Sequence, residues 1–149
     1  MDDNLTDEEA RNVAAYSRLH AAVNAHDRTL IDATIDDLVA PDAAIATPYP
    51  TEEPAPETLK RLWAMLLGAF PDLHIRIDDV IAKGGMVVVR DVVTGTNLGE
   101  YRGRPATGRP VSYEEIFVLR FVDGRIVETW GVVDVLAQLR QLGLVSTEV

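Results

Sequence analysis

The feature that most limits what this chain can become is a change of hydrophobic period at Pro71. Before it, apolar residues recur at helical spacing; after it, "DLHIRIDDVIA" (72–82) alternates Leu73, Ile75 and Ile77 against His74, Arg76 and Asp78. A period of two is the mark of a strand with one buried face. "KGG" turns the chain into "MVVVRDVVTGT" (86–96), and a Gly/Pro-rich connection, 97–110, leads to "VSYEEIFVLRFV" (111–122). Asp123-Gly124 then makes a tight hairpin into "RIVETWGVV" (125–133).

The half before Pro71 reads differently. Thr6 and Glu9 form a capping box, and the segment after it runs helically to about His26, with Val13, Tyr16, His20 and Val23 near one stripe. A second helix over 28–39 is expected to stop at Pro41, with a short strand over 42–49. "PETLKRLWAMLLGAF" (56–70) is a third helix, opened by Pro56 and closed by Gly68 and Pro71. A last helix runs from Asp134 to about Leu142. The order α-α-β-α-β-β-β-β-α predicts an α+β domain in which a curved, mostly antiparallel sheet wraps the N-terminal helices. Such a sheet leaves a cavity between its concave face and the helices, suited to a small hydrophobic ligand.

Composition narrows the function. Fourteen Lys plus Arg against 24 Asp plus Glu give a net charge of −10, which repels nucleic acid and anionic lipid. There is no apolar run near 18 residues, no phosphate-binding glycine loop, and no metal-like spacing of His20, His26 and His74. With zero cysteines, neither disulfides nor thiol catalysis is available. The acidic start "MDDNLTDEEARN" lacks the basic and apolar regions of a signal peptide, so a cytoplasmic protein of one domain, residues 1–149, is expected.

Three blocks, "FPDL" at 70–73, "GRPATG" at 103–108 and "DGRIVETW" at 123–130, at these spacings resemble the SnoaL-like polyketide cyclases, or ester cyclases, over roughly residues 10–144. The resemblance implies the cone-shaped α+β barrel shared with nuclear transport factor, ketosteroid isomerase, scytalone dehydratase and limonene epoxide hydrolase. It also implies an intramolecular aldol closure without metal or organic cofactor, and a homodimer formed through the outer sheet face. In the family a carboxylate follows the equivalent of Trp130 and a histidine assists from the preceding strand. Here those places are Gly131 and Phe117, and Asn97 stands where relatives have another histidine.

The resemblance implies that positions 131 and 117 face the cavity and that Asp91 stands near a catalytic arginine of the epoxide hydrolase relatives; strand parity from these three places supplies substitutes. Val127, Thr129 and Val133 share the face of Gly131; Tyr113, Glu115, Phe117, Leu119 and Phe121 face inward from the strand before, and Val87, Val89, Asp91 and Val93 from the one before that. Asp91, a carboxylate among valines, would be a usable acid or base if desolvated, or else a partner of Arg90. Asp134 is either a displaced acid at the cavity mouth or an N-cap. Glu115 is a second acid or a solvated charge. Tyr16, Tyr49, Trp63, Tyr113 and Phe117 are candidate walls for a flat substrate, His20 a cavity or core histidine, and Gly131 part of the site floor. The outer face, with Val88, Val92, Ile116 and Val118 beside Arg90 and Arg120, is too apolar for water. The reading is a cyclase; hydrolase or dehydratase chemistry, or ligand binding without catalysis, remains open.

Overall fold

In a computed structural model of the chain, residues 4–46 and 52–148 are described. Helix α1, Asp7–Asn24, opens with the expected capping box: Thr6 Oγ1 accepts from the Glu9 amide, and the Glu9 carboxylate accepts from the Thr6 amide at 2.8 Å. Asp27 caps α2, Arg28–Leu38, and α3 spans Ala55–Ala69. Strand β1 covers Val39–Ile45, β2 His74–Lys83, β3 Met86–Thr96, β4 Pro110–Val122 and β5 Arg125–Val133, followed by α4, Val135–Gln141.

Pro41 does not end the second helix. The helix stops at Leu38, and Pro41 lies inside β1, whose two first residues are buried. Since β1 is an edge strand, a proline there costs no central ladder bond.

The sheet runs β1-β5-β4-β3-β2, with β1 parallel to β5 and every other pair antiparallel. It is a five-stranded mixed sheet that does not close, the α+β cone expected from the sequence. The β3–β4 ladder is unbroken from Met86↔Arg120 to Thr96↔Pro110, so parity holds along its length. Irregularities fall instead between Ile77 and Asp79 on β2 and at Arg120/Phe121, opposite Ile126. The second of these leaves Val127 unpaired, so Ile126, 3% exposed, takes the inward place expected of Val127. Such bulges bend the strands that carry them. Asp123 and Gly124, at φ 50° and 78°, make the left-handed turn that Asp-Gly favours.

Helix α1 lies against β2 and β3, and α3 against β1. Between them the core gathers Val23, Ile31, Ile35, Leu38, Phe70, Val87 and Val89, all at most 2% exposed. No helix among the described residues is long and apolar enough to cross a membrane.

Candidate active site

Helices and inner sheet face enclose a cavity of about 390 Å³. Its walls are mainly apolar: Leu19, Leu62, Trp63, Leu66, Ile75, Phe117, Leu119 and Ile126 among others. The charged or titratable side chains on it are few. Tyr16 and His20 come from α1, Glu115 and Tyr113 from β4, Arg61 from α3, and Tyr101 and Arg102 from the connection after β3.

The unbroken ladder makes Asp91 and Glu115 direct cross-strand partners. Both point inward, as parity predicts, yet their surroundings differ. Glu115 reaches the cavity wall; Asp91 is 1% exposed and lies behind it. Burial, and then the charge of Asp91, pushes the Glu115 carboxyl up from 4.5 to about 7. A carboxylic acid so placed is part protonated at neutral pH and can give or take a proton there.

Asp91 does not pair with Arg90. That arginine turns outward to Asp79, and its Nε donates to Asp79 Oδ2 at 2.7 Å. The partner of Asp91 comes from α1: His20 Nε2 stands 3.3 Å from Asp91 Oδ2, with the histidine 5% exposed. The separation suits an ion pair but the groups are not aligned as a hydrogen bond. Both Asp91 oxygens and His20 Nδ1 are without hydrogen-bond partners among the described residues. Such orphaned buried polar atoms are costly, and native folds keep few of them. One turn earlier on α1, Tyr16 meets the His20 ring edge-on, centroids 4.5 Å apart and planes at 73°. Burial and the charges of Asp91 and Glu115 hold the Tyr16 phenol well above its ordinary range, so it stays a neutral donor. Tyr113 is likewise pushed up by burial.

Asp134 does not line the cavity. It is the N-cap of α4: its Oδ1 accepts from the Ala137 amide at 3.0 Å, and it borders an adjoining surface groove that shares Glu115, Val133 and Val135 with the cavity. Gly131 is exposed and is not on the cavity wall. A Cβ built there would run into the Ile116 carbonyl oxygen and lie 2.7 Å from Phe117 Cδ1. Position 131 therefore cannot take any side chain without a local shift of backbone, and the Phe117 ring occupies the space beside it. Asn97 is wholly structural; its side-chain nitrogen donates to Ala69 and Gly99 carbonyls, and its oxygen accepts from Thr107. Trp63 and Phe117 line the cavity as expected, whereas Tyr49 lies outside the described residues.

Tyr101 and Gln138 were not singled out from sequence. The Tyr101 hydroxyl donates to Gln138 Oε1 at 2.9 Å, and both line the cavity. Gln138 sits on the buried side of a short helix, and only that helix's register could have exposed it to sequence reasoning. Among the described residues, no group of three His, Asp or Glu is disposed to hold a metal ion.

Residues 13–142 match the family model for the SnoaL-like polyketide cyclases. Aklanonic acid methyl ester cyclase DnrD of Streptomyces peucetius is 34% identical over 89 residues, 59% of this chain and 61% of that protein, so the match spans less than two thirds of the relative. TsrD of Streptomyces laurentii superposes with a TM-score of 0.81 at 26% identity, covering 95% of this chain and 100% of that one. AclR of Streptomyces galilaeus, a candidate hydroxylase, gives 0.79 at 31% identity, covering 95% and 85%.

Proposed function

Because this chain belongs to the SnoaL-like polyketide cyclase family, we propose that it closes a ring in a polyketide or related biosynthetic intermediate held in the apolar cavity. Likeness to aklanonic acid methyl ester cyclase supports a polyketide cyclase-like role. The observation that carries the reading is Glu115, a carboxyl titrating near 7 on the wall of an otherwise apolar hollow.

In an intramolecular aldol closure a proton leaves an activated carbon, the enolate carbon bonds to a ketone carbon, and the ketone π electrons become an alkoxide that takes up a proton. No atom is gained or lost and no redox change occurs, so no organic cofactor or metal is required. Glu115 in its protonated form supplies the proton to oxygen. Tyr16, kept neutral, is an O–H donor on the same wall. The cavity of about 390 Å³ folds the chain, and holding two reacting centres in register can lower a barrier by several kcal/mol, up to about 7–11 in ideal cases. Trp63 and Phe117 give flat surfaces for an aromatic substrate.

The test uses aklanonic acid methyl ester as probe. An isomer of unchanged mass should form, and Glu115→Gln should slow its formation by about 10²-fold or more while folding normally. No isomer from this or related polyketide esters removes the cyclase reading. Hydration or dehydration is a second reading, favoured by the polar trio of Glu115, His20 and Asp91, which could hold a water; it would show as a mass change of one water.

Assembly follows from the outer face. Ile116, Trp130 and Val132 are 47%, 50% and 74% exposed in the single chain. Around them Arg90 faces Asp78, Asp79 and Glu114 and Arg120 faces Glu128, charges of both signs about an apolar centre, which supports pairing with a second copy of the chain.

A further inference from the structure

We propose that the Tyr113 hydroxyl is a hydrogen-bond donor subsite of the cavity, binding a carbonyl oxygen of the ligand away from the reacting centre, and that Tyr101 sets its direction through the Gln138 carboxamide. The subsite rests on geometry; the identification of its ligand as a polyketide ester rests on the cyclase reading.

Tyr113 comes from β4, Gln138 from α4 and Tyr101 from the connection after β3, and all three line the cavity. Their placement is fixed from outside it. Gln141 exchanges two hydrogen bonds with the Ser112 backbone, its Oε1 accepting from the amide at 2.6 Å and its Nε2 donating to the carbonyl at 2.8 Å. These bonds set α4 in register on β4, with Gln138 one turn before Gln141 and Tyr113 next to Ser112. Tyr101 is held by Phe70, whose ring meets it edge-on with centroids 5.3 Å apart, and by reciprocal backbone bonds with Arg104 at 3.0 Å each.

A glutamine only 1% exposed is costly to bury unless its carboxamide is used. The Tyr101 hydroxyl donates to Oε1 at 2.9 Å, which leaves Nε2 as the end that can serve Tyr113. Burial, and then the charge of Glu115, hold the Tyr113 hydroxyl well above its ordinary range; Gln138 acts the other way, as a donor to the phenol oxygen does. A phenol oxygen that accepts from Nε2 keeps its own hydrogen for another partner, and among the described residues no acceptor takes it. Nor is this hydroxyl sealed in: it is not one of the fully buried polar atoms without a partner, as His20 Nδ1 and the Asp91 oxygens are. The hydrogen is therefore offered to whatever fills the cavity. A donor that stays protonated suits a neutral acceptor, the oxygen of a ketone, quinone or ester. Glu115 lies two residues along the same strand face, about 7 Å on, so the oxygen held by Tyr113 is not the one that receives the Glu115 proton. Such a contact is made alike before and during bond formation, so it tightens binding and leaves the chemical step to other groups.

Two measurements test this. 1-Tetralone and tetralin share a bicyclic frame and differ by one carbonyl. The carbonyl stretch of 1-tetralone bound to the full-length chain, read by difference infrared spectroscopy, should lie below its position in hexane, and Tyr113→Phe should remove most of that displacement. Tyr101→Phe frees the carboxamide to turn its oxygen toward Tyr113 and capture that hydrogen, so the stretch should move back in the same direction; a stretch unmoved there overturns the orienting role. Calorimetry should show Tyr113→Phe weakening 1-tetralone by about 5- to 10-fold while tetralin binds as before, which also shows the variant folded. No uptake of 1-tetralone by the parent, a parent stretch at the hexane position, or equal effects on the two ligands overturns the subsite; the first two need no variant. The second measurement is turnover of aklanonic acid methyl ester, where Tyr113→Phe should raise KM by about 5- to 10-fold with kcat within a few fold. A loss confined to kcat overturns the assignment to a remote oxygen. If the unaltered protein does not close the probe, the cyclase reading falls, while 1-tetralone still decides the subsite.

Discussion

Replacing Glu115 by glutamine should change how stability depends on pH in a way that can be worked out in advance. The folded protein holds the Glu115 carboxyl at about 7 against 4.5 for the free group, chiefly because burial disfavours the charged form. Between those pH values the folded state binds a proton that the unfolded state has released. Stability therefore falls as pH rises through this window: the contribution is fully present below about 4.5 and gone above about 7. At about 1.4 kcal/mol per pH unit the loss comes to roughly 3 kcal/mol, and relaxation around the partly exposed side chain reduces it to about 2–3 kcal/mol. Glutamine keeps the shape and cannot ionise. Urea unfolding of the parent and of Glu115→Gln, measured from pH 4.5 to 8, gives two curves whose difference isolates this one group from all other titrations. The parent should lose about 2–3 kcal/mol relative to the variant across the range. Curves that stay parallel would mean that Glu115 is solvated like an ordinary carboxylate, and the acid at the centre of the site would be lost.

Other perturbations separate scaffold from chemistry. Asp134→Ala should cost about 1 kcal/mol in unfolding experiments, the usual value of an N-cap, with turnover unchanged; a large loss of turnover at unaltered stability would return Asp134 to the site. Gly131→Ala should destabilise by about 1–3 kcal/mol through overpacking against Ile116 and Phe117, and a neutral effect in thermal melts would show that the strand adjusts freely. Sedimentation should give the mass of two 16.4 kDa chains for the parent and of one for Val132→Asp; a monomeric parent at micromolar concentration contradicts the outer-face interface.

What could be read from the chain beforehand follows from where its ladders are regular. The change of period at Pro71 separates helices from strands because amphipathic patterns are local. Parity counted from the positions the family resemblance implied put Asp91 and Glu115 on the inner face, and it holds because the β3–β4 ladder is unbroken. It fails at Val127, since the bulge opposite Phe121 is a tertiary accommodation with no fixed residue code. Pro41 looked like a helix stop because its tolerance depends on β1 being an edge strand, which only topology reveals. The pairing of His20 with Asp91 is legible only once α1 is known to cross β3. Likewise, Gly131 reads in sequence as a missing acid, and only packing shows that the Phe117 ring and the Ile116 carbonyl have taken the room a side chain would need.

Carbon-13 titration of the Glu115 carboxyl by NMR tests the account most directly, because the proposed delivery of a proton to the new alkoxide depends on that group holding its proton near neutrality. A midpoint near 7, moving downward in Asp91→Asn as the neighbouring negative charge is removed, is the predicted result. A midpoint near 4.5 that ignores Asp91 would contradict it.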